Sequence, residues 1–198
     1  MSVRISYTLF PPSIRTLMNC KDSPGSSSIH YEGKMKFDPG ADITCIPASY
    51  LGIDAGEAEF TQWIQTTDNI ELIQNGRKTT HHIIAARTRG VDKKAASITS
   101  YALQLDDFQI ITHDGVLDLG GVPVFVVFDD RFQTPLLGRD ILGLLNMEID
   151  NDKNLLTLSL SEKCKNAIKQ YGKISPQYFI KSGIYDRDIF LVHDHQIV

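Results

Sequence analysis

Cysteine is scarce in this chain. Cys20, Cys45 and Cys164 are the three in 198 residues, and they are widely separated with no CxxC pair. An odd, scattered set builds neither a disulfide framework nor a thiolate metal site, so reduced thiols in a cytoplasmic protein are the expectation. Long apolar runs are also missing. The patch Tyr7 to Phe10 near the amino terminus is cut by Pro11-Pro12, well short of a membrane span or a signal-peptide core, and no membrane association is expected. Positive charge is not in excess. Lysine and arginine number 20 against 24 acidic residues, for a net charge of -4, and the densest basic cluster is Lys93-Lys94 near Arg87 and Arg89. Such a chain lacks the basic field that neutralises phosphates, so nucleic acid is not an expected partner.

Several catalytic and metal motifs are absent too. There is no Gly-x-Ser-x-Gly elbow to hold a serine nucleophile, and Ser26 to Ser28 fall in a loop with turn composition. His81-His82 and His193-Asp194-His195 offer imidazoles and a carboxylate without the spacing of a zinc helix or finger. Neither a metal nor an organic cofactor is expected. Cys45 continues an apolar strand and reads as a buried small hydrophobe rather than a reactive thiol. No repeat of twenty to fifty residues is present, which sets aside a solenoid.

What the chain does have is 42% hydrophobic and 22% charged residues, enough apolar material for one sizeable core. Short strand-like runs divided by polar turns predict a mainly β fold. The candidates are Val3 to Phe10, Ile29 to Phe37, His82 to Arg87, Ile98 to Leu105, Phe108 to Thr112, Val122 to Phe128 and Asn154 to Leu160, with a late strand at Ile189 to Val192. The first of these is expected to pair with the main sheet. Two helices are expected, Ile141 to Leu145 and Glu162 to Tyr171, the second with Ala167, Ile168 and Tyr171 on its apolar face.

Two motifs carry the chemistry. In the first, Phe37-Asp38-Pro39-Gly40-Ala41-Asp42, an apolar strand enters an Asp-Pro-Gly turn and continues as Ile43-Thr44-Cys45-Ile46-Pro47. Proline fixes φ and glycine tolerates positive φ, so the turn holds the Asp38 carboxylate on a rigid loop between apolar segments. Taken alone, the tripeptide reads as a surface turn. The second motif, about a hundred residues later, is Pro135-Leu136-Leu137-Gly138-Arg139-Asp140-Ile141-Leu142. Gly138 permits close packing beside another segment, and the Arg139 guanidinium can meet a carboxylate, for which Asp42 is the expected partner. By itself this motif is also an ordinary helix start.

Together, in this order and at this separation, the two motifs resemble the retropepsin-like aspartic proteases, whose signatures are Asp-Thr/Ser-Gly-Ala followed by an acid and, near the end, two apolar residues with Gly-Arg-Asn/Asp. The resemblance covers about residues 30–160, with 1–29 as an amino-terminal strand and loop extension and 161–198 as a carboxyl-terminal helix and strand extension. It implies a closed acid-protease barrel with one short helix after Gly138-Arg139-Asp140. It also implies that Asp38 is catalytic, that Pro39, Gly40 and Ala41 form the active-site loop, and that Asp42, Gly138, Arg139 and Asp140 support it or face substrate. Aspartic proteolysis uses two carboxylates sharing a proton, and this chain has one such loop; Asp114-Gly115-Val116 and Gly183-Ile184 lack the flanking pattern. A homodimer acting on polypeptide, with Asp38 from each copy, is therefore implied. A flap hairpin is expected from His82 to Arg87 and Ala96 to Leu103, tipped by Gly90 to Lys94. Pro39 departs from the family, because it replaces a Thr or Ser hydroxyl that bonds across to the partner loop and also lacks a backbone N–H. The alternative is a protease-fold module that binds peptide or assembles without turnover.

Overall fold

A computed structural model describes residues 1–20, 28–54, 69–87, 100–129, 131–185 and 189–191. The fold is mainly β, with 50% strand and 16% helix. Strands β1 (Ser2–Ser6), β2 (Ser13–Cys20) and β3 (Ile29–Phe37) lead to the Asp38 loop, and β4 (Cys45–Pro47), a 3-10 turn (Ala48–Leu51) and β5 (Ile53–Asp54) follow it. Next come β6 (Asn69–Gln74), β7 (Arg77–His82), β8 (Ala85–Arg87), β9 (Ser100–Gln104), β10 (Asp107–Thr112), β11 (Gly115–Asp118) and β12 (Pro123–Val127). Strand β13 (Leu136–Leu137) runs into helix α1 (Arg139–Leu142), and the hairpin β14 (Leu145–Asp150) and β15 (Leu155–Leu160) leads to α2 (Glu162–Tyr171), α3 (Pro176–Lys181) and β16 (Ile189–Leu191).

The largest sheet has ten strands in the order β11-β10-β2-β3-β13-β4-β12-β9-β8-β16, and two three-stranded sheets, β1-β15-β14 and β5-β6-β7, complete the set. The large sheet has two ends, and no closed barrel forms among the described residues. Its core follows from side-chain alternation. Strand β3 turns Ile29, Tyr31, Met35 and Phe37 inward and His30, Glu32 and Lys36 outward, the period of two that a half-buried strand requires. Strand β12 is buried at all five positions. It lies between β4, which it pairs in parallel, and β9, which it pairs antiparallel, so a continuous apolar run suits it better than alternation.

Several expectations need correction. The first strand ends at Ser6, before Pro11-Pro12, and pairs with β15 in a small sheet instead of joining the main one. The place in the main sheet goes to β2, whose inward residues are Ile14, Thr16 and Met18; a threonine at the middle inward position hides the alternation. The second-motif helix starts at Arg139 and ends at Leu142, because Leu145 already belongs to β14. Helix α2 spans the expected residues, with the Ser161 Oγ accepting the Cys164 N–H at 3.2 Å as N-cap. Its buried positions are Cys164 and Ala167, while Tyr171 is 65% exposed.

The expected flap strands do pair, but as β8 and β9 inside the large sheet, where Ala85, Ala86, Tyr101 and Ala102 are fully buried. Their expected tip, Gly90 to Lys94, lies outside the described residues, as do Ser26, Ser27 and His193 to His195. A different hairpin stands apart from the main sheet: β6 pairs with β7 around Asn75-Gly76, both at positive φ (49° and 76°). That dipeptide is the favoured two-residue hairpin turn. No described helix is long and apolar enough to cross a membrane.

Candidate active site

The two motifs meet because β13 lies between the strands on either side of the Asp38 loop. Leu136 and Leu137 pair in parallel with Lys36 and Phe37 of β3, and Leu136 also pairs with Cys45 of β4. Consecutive strands β3 and β4 are thus separated by a strand from a hundred residues onward. Backbone hydrogen bonds tie the loop to this intruder: the Asp38 N–H donates to Leu137 O at 3.0 Å, and the Arg139 N–H donates to Ala41 O at 2.8 Å. Gly138 is needed at the closest point. A Cβ there would collide with the Ile43 carbonyl and come within 2.9 Å of the Thr44 nitrogen, which real side chains do not tolerate.

Within the loop, the Ala41 N–H donates to Asp38 O at 3.1 Å and the Gly40 N–H donates to Asp38 Oδ1 at 3.0 Å. The Asp38 side chain is half-buried and Pro39 and Gly40 are exposed. Asp42 forms the expected ion pair with Arg139 and has a second arginine, Arg87 of β8, at 3.7 Å. The pair is not buried. Arg139 and Asp42 are 58% and 38% exposed, so water screens them.

The buried acid of the site is Asp140, fully enclosed. Its Oδ1 accepts the Thr44 N–H at 2.8 Å, the Thr44 hydroxyl at 2.6 Å and the Ile141 N–H at 2.7 Å. The Tyr185 hydroxyl donates to Oδ2 at 3.3 Å. Burial pushes the Asp140 carboxyl up to about 6, against the pull of these donors. Thr44 closes the circuit by accepting the Gly138 N–H at 3.0 Å. One carboxylate thus locks β4, the start of α1 and the carboxyl-terminal extension around the Asp38 loop. Sequence reasoning missed Thr44 and Tyr185 as site residues. Thr44 has a signal, the lone hydroxyl in the otherwise apolar run Ile43 to Pro47; Tyr185 has none, since its partner is 45 residues away.

Cys45 is buried and its thiol is pushed up to about 12, by burial first and then by the negative charge of Asp140. A thiol so held is not a nucleophile at neutral pH. His81 is likewise buried, with Nε2 3.1 Å from the Thr79 hydroxyl. Beside the Asp38 loop lies an exposed apolar corner: Leu9 is 82% and Phe10 is 50% exposed, and the Phe10 ring meets Phe37, the residue before Asp38, at 5.8 Å. Comparison with protein-family models, curated proteins and solved structures gave no match.

Proposed function

We propose that this chain is an aspartic endopeptidase of the retropepsin type, working as a homodimer in which each copy contributes Asp38. One observation carries the reading: the two motifs, far apart in sequence, are interleaved through β13 so that Gly138-Arg139-Asp140 buttresses the loop bearing Asp38. A turn of surface type would need no such support. Across a two-fold axis, two Asp38 carboxyls would share one proton, because like charges at that range cannot both ionise. The ionised member takes a proton from water as the water attacks the peptide carbonyl. The protonated member stabilises the oxygen on which charge develops. Leu9 and Phe10, exposed next to the loop, supply apolar surface for a second copy to cover.

The second reading is a peptide-binding or assembly module of the same fold without turnover, favoured by Pro39. At that position there is neither a hydroxyl nor an N–H to bond to a partner loop. The purified chain incubated with a diverse peptide library at several pH values distinguishes the two. An endopeptidase cleaves with a bell-shaped pH profile, sediments as a dimer and loses cleavage in Asp38→Asn, while Pro39→Thr raises turnover by restoring the donor. A binding module retains peptide in both variants and cleaves in none. Cleavage that persists in Asp38→Asn, or a strictly monomeric active species, contradicts the dyad.

A further inference from the structure

The carboxyl-terminal extension has a charge opposite to that of the whole chain. Residues 162–181 hold five lysines and one acid, Glu162, in a protein of net charge -4. Glu162 is taken by Lys165, 2.5 Å away. Between α2 and α3 lies a cleft of about 640 Å³, with Lys163, Lys173 and Lys181 in its lining and no acid among the described lining residues. Among the described residues none of these three lysines has an ion-pair partner. The cleft is not wholly polar. The exposed ring of Tyr171 and the half-buried Tyr178 provide apolar surface between the cations, over a floor of the buried Ala167 and Ile174.

We propose that this cleft is a binding site for a small amphiphilic anion, an aryl or alkyl carboxylate, sulfonate or phosphate. Its volume lies in the usual range for small-molecule sites, and such sites combine an apolar lining with a few placed polar groups. The uncompensated lysines select the sign of the ligand. Each ammonium is an exposed point charge on a flexible stem, so it can close over an anionic head while the stem covers the apolar body. The site is separate from the Asp38 loop and stands whether or not that loop cleaves peptides.

Calorimetric titration of the full chain with naphthalene-2-sulfonate, and with neutral naphthalene-2-sulfonamide of nearly the same shape, tests the assignment. The expected result is saturable binding of the sulfonate at one site per chain, weakening with added salt, and binding of the sulfonamide weaker by on the order of tenfold or more. The triple variant Lys163→Gln, Lys173→Gln, Lys181→Gln changes only exposed side chains, so its melting temperature should hold while sulfonate affinity falls by at least the same factor. Ala167→Leu, which fills the apolar lining, should weaken both probes. Absence of saturable sulfonate binding, equal affinity for the two probes, or unchanged affinity in the lysine variant overturns the proposal. Sedimentation of the chain with phosphatidylserine vesicles in a manner the sulfonate does not displace also overturns it, since the lysines would then be reading a membrane surface.

Discussion

Asp42 and Asp140 each directly follow a residue of the Arg139–Ala41 backbone hydrogen bond that joins the motifs, and their surroundings make opposite demands. Asp42 lies between two arginines in reach of water, so removing one partner leaves it a solvated anion. Arg139→Ala should therefore cost no more than about 1 kcal/mol in a denaturant melt. Asp140 satisfies four donors in a dry interior. Asp140→Ala would strand them, and a loss of about 3 kcal/mol or more is expected. Asp140→Asn behaves differently, because its carbonyl oxygen can accept the three donors at Oδ1 and its amide can donate to Tyr185. What the amide removes is titration. The Asp140 carboxyl is raised from 3.8 to about 6, so the folded state holds a proton that the unfolded chain releases. Its contribution to stability is complete below pH 3.8 and is lost as the pH rises through 6, a fall of roughly 3 kcal/mol relative to the variant. Parallel melts of parent and Asp140→Asn at pH 4, 5, 6 and 7 check this; a difference that does not change with pH refutes it.

At the scale of elements, what could be read from the sequence was what local pattern encodes. Strand β3 and helix α2 occupy the predicted residues because alternation, a serine N-cap and a closing glycine are written in contiguous letters. The neighbours of an element were not legible. Nothing local told that β1 would pair with β15, that β2 with its buried Thr16 would fill the main sheet, or that β8 and β9 would be interior while β6 and β7 stood apart. Asp38, Gly138 and Arg139 were legible as a constellation through motif order, whereas the Thr44–Asp140–Tyr185 network depends on long-range packing. The contact at Gly138 gives this scale its own expectation. Gly138→Ala forces a methyl group against the Ile43 carbonyl, so β13 and the Asp38 loop must separate, at a cost of about 1 to 3 kcal/mol. Gly76→Ala strains only the exposed turn at φ 76° and should cost about 1 kcal/mol. Equal losses in the two variants would show that the approach at Gly138 is not tight.

Across the whole molecule, the residues outside 30–160 are not appendages. The Ile174 N–H donates to Gly121 O at 2.8 Å, Phe179 is fully buried, and Tyr185 packs its ring on Phe179 and Phe125 at 4.9 and 5.7 Å while bonding to Asp140. A chain ending at residue 160 loses all of these contacts. It should melt without a cooperative transition or at a much lower temperature, whereas Tyr185→Phe, which keeps the ring, should cost only about 1 kcal/mol. A truncated chain that melts like the parent would make the extension dispensable.

The insertion of β13 between β3 and β4 also fixes a sequence of events during synthesis. Residues 29–47 leave the ribosome carrying Asp38 and both flanking strands, yet those strands have no ladder partner in each other. Strand β3 can pair with β2 at once, but β3 and β4 are joined only through Leu136 and Leu137, about ninety residues later, which at ordinary elongation rates is a delay of several seconds. Until then the loop has no buttress, and a nascent chain holds Asp38 without holding a site. Under the proposed protease function, this late assembly keeps the Asp38 carboxylate idle while the polypeptide that carries it is still incompletely folded.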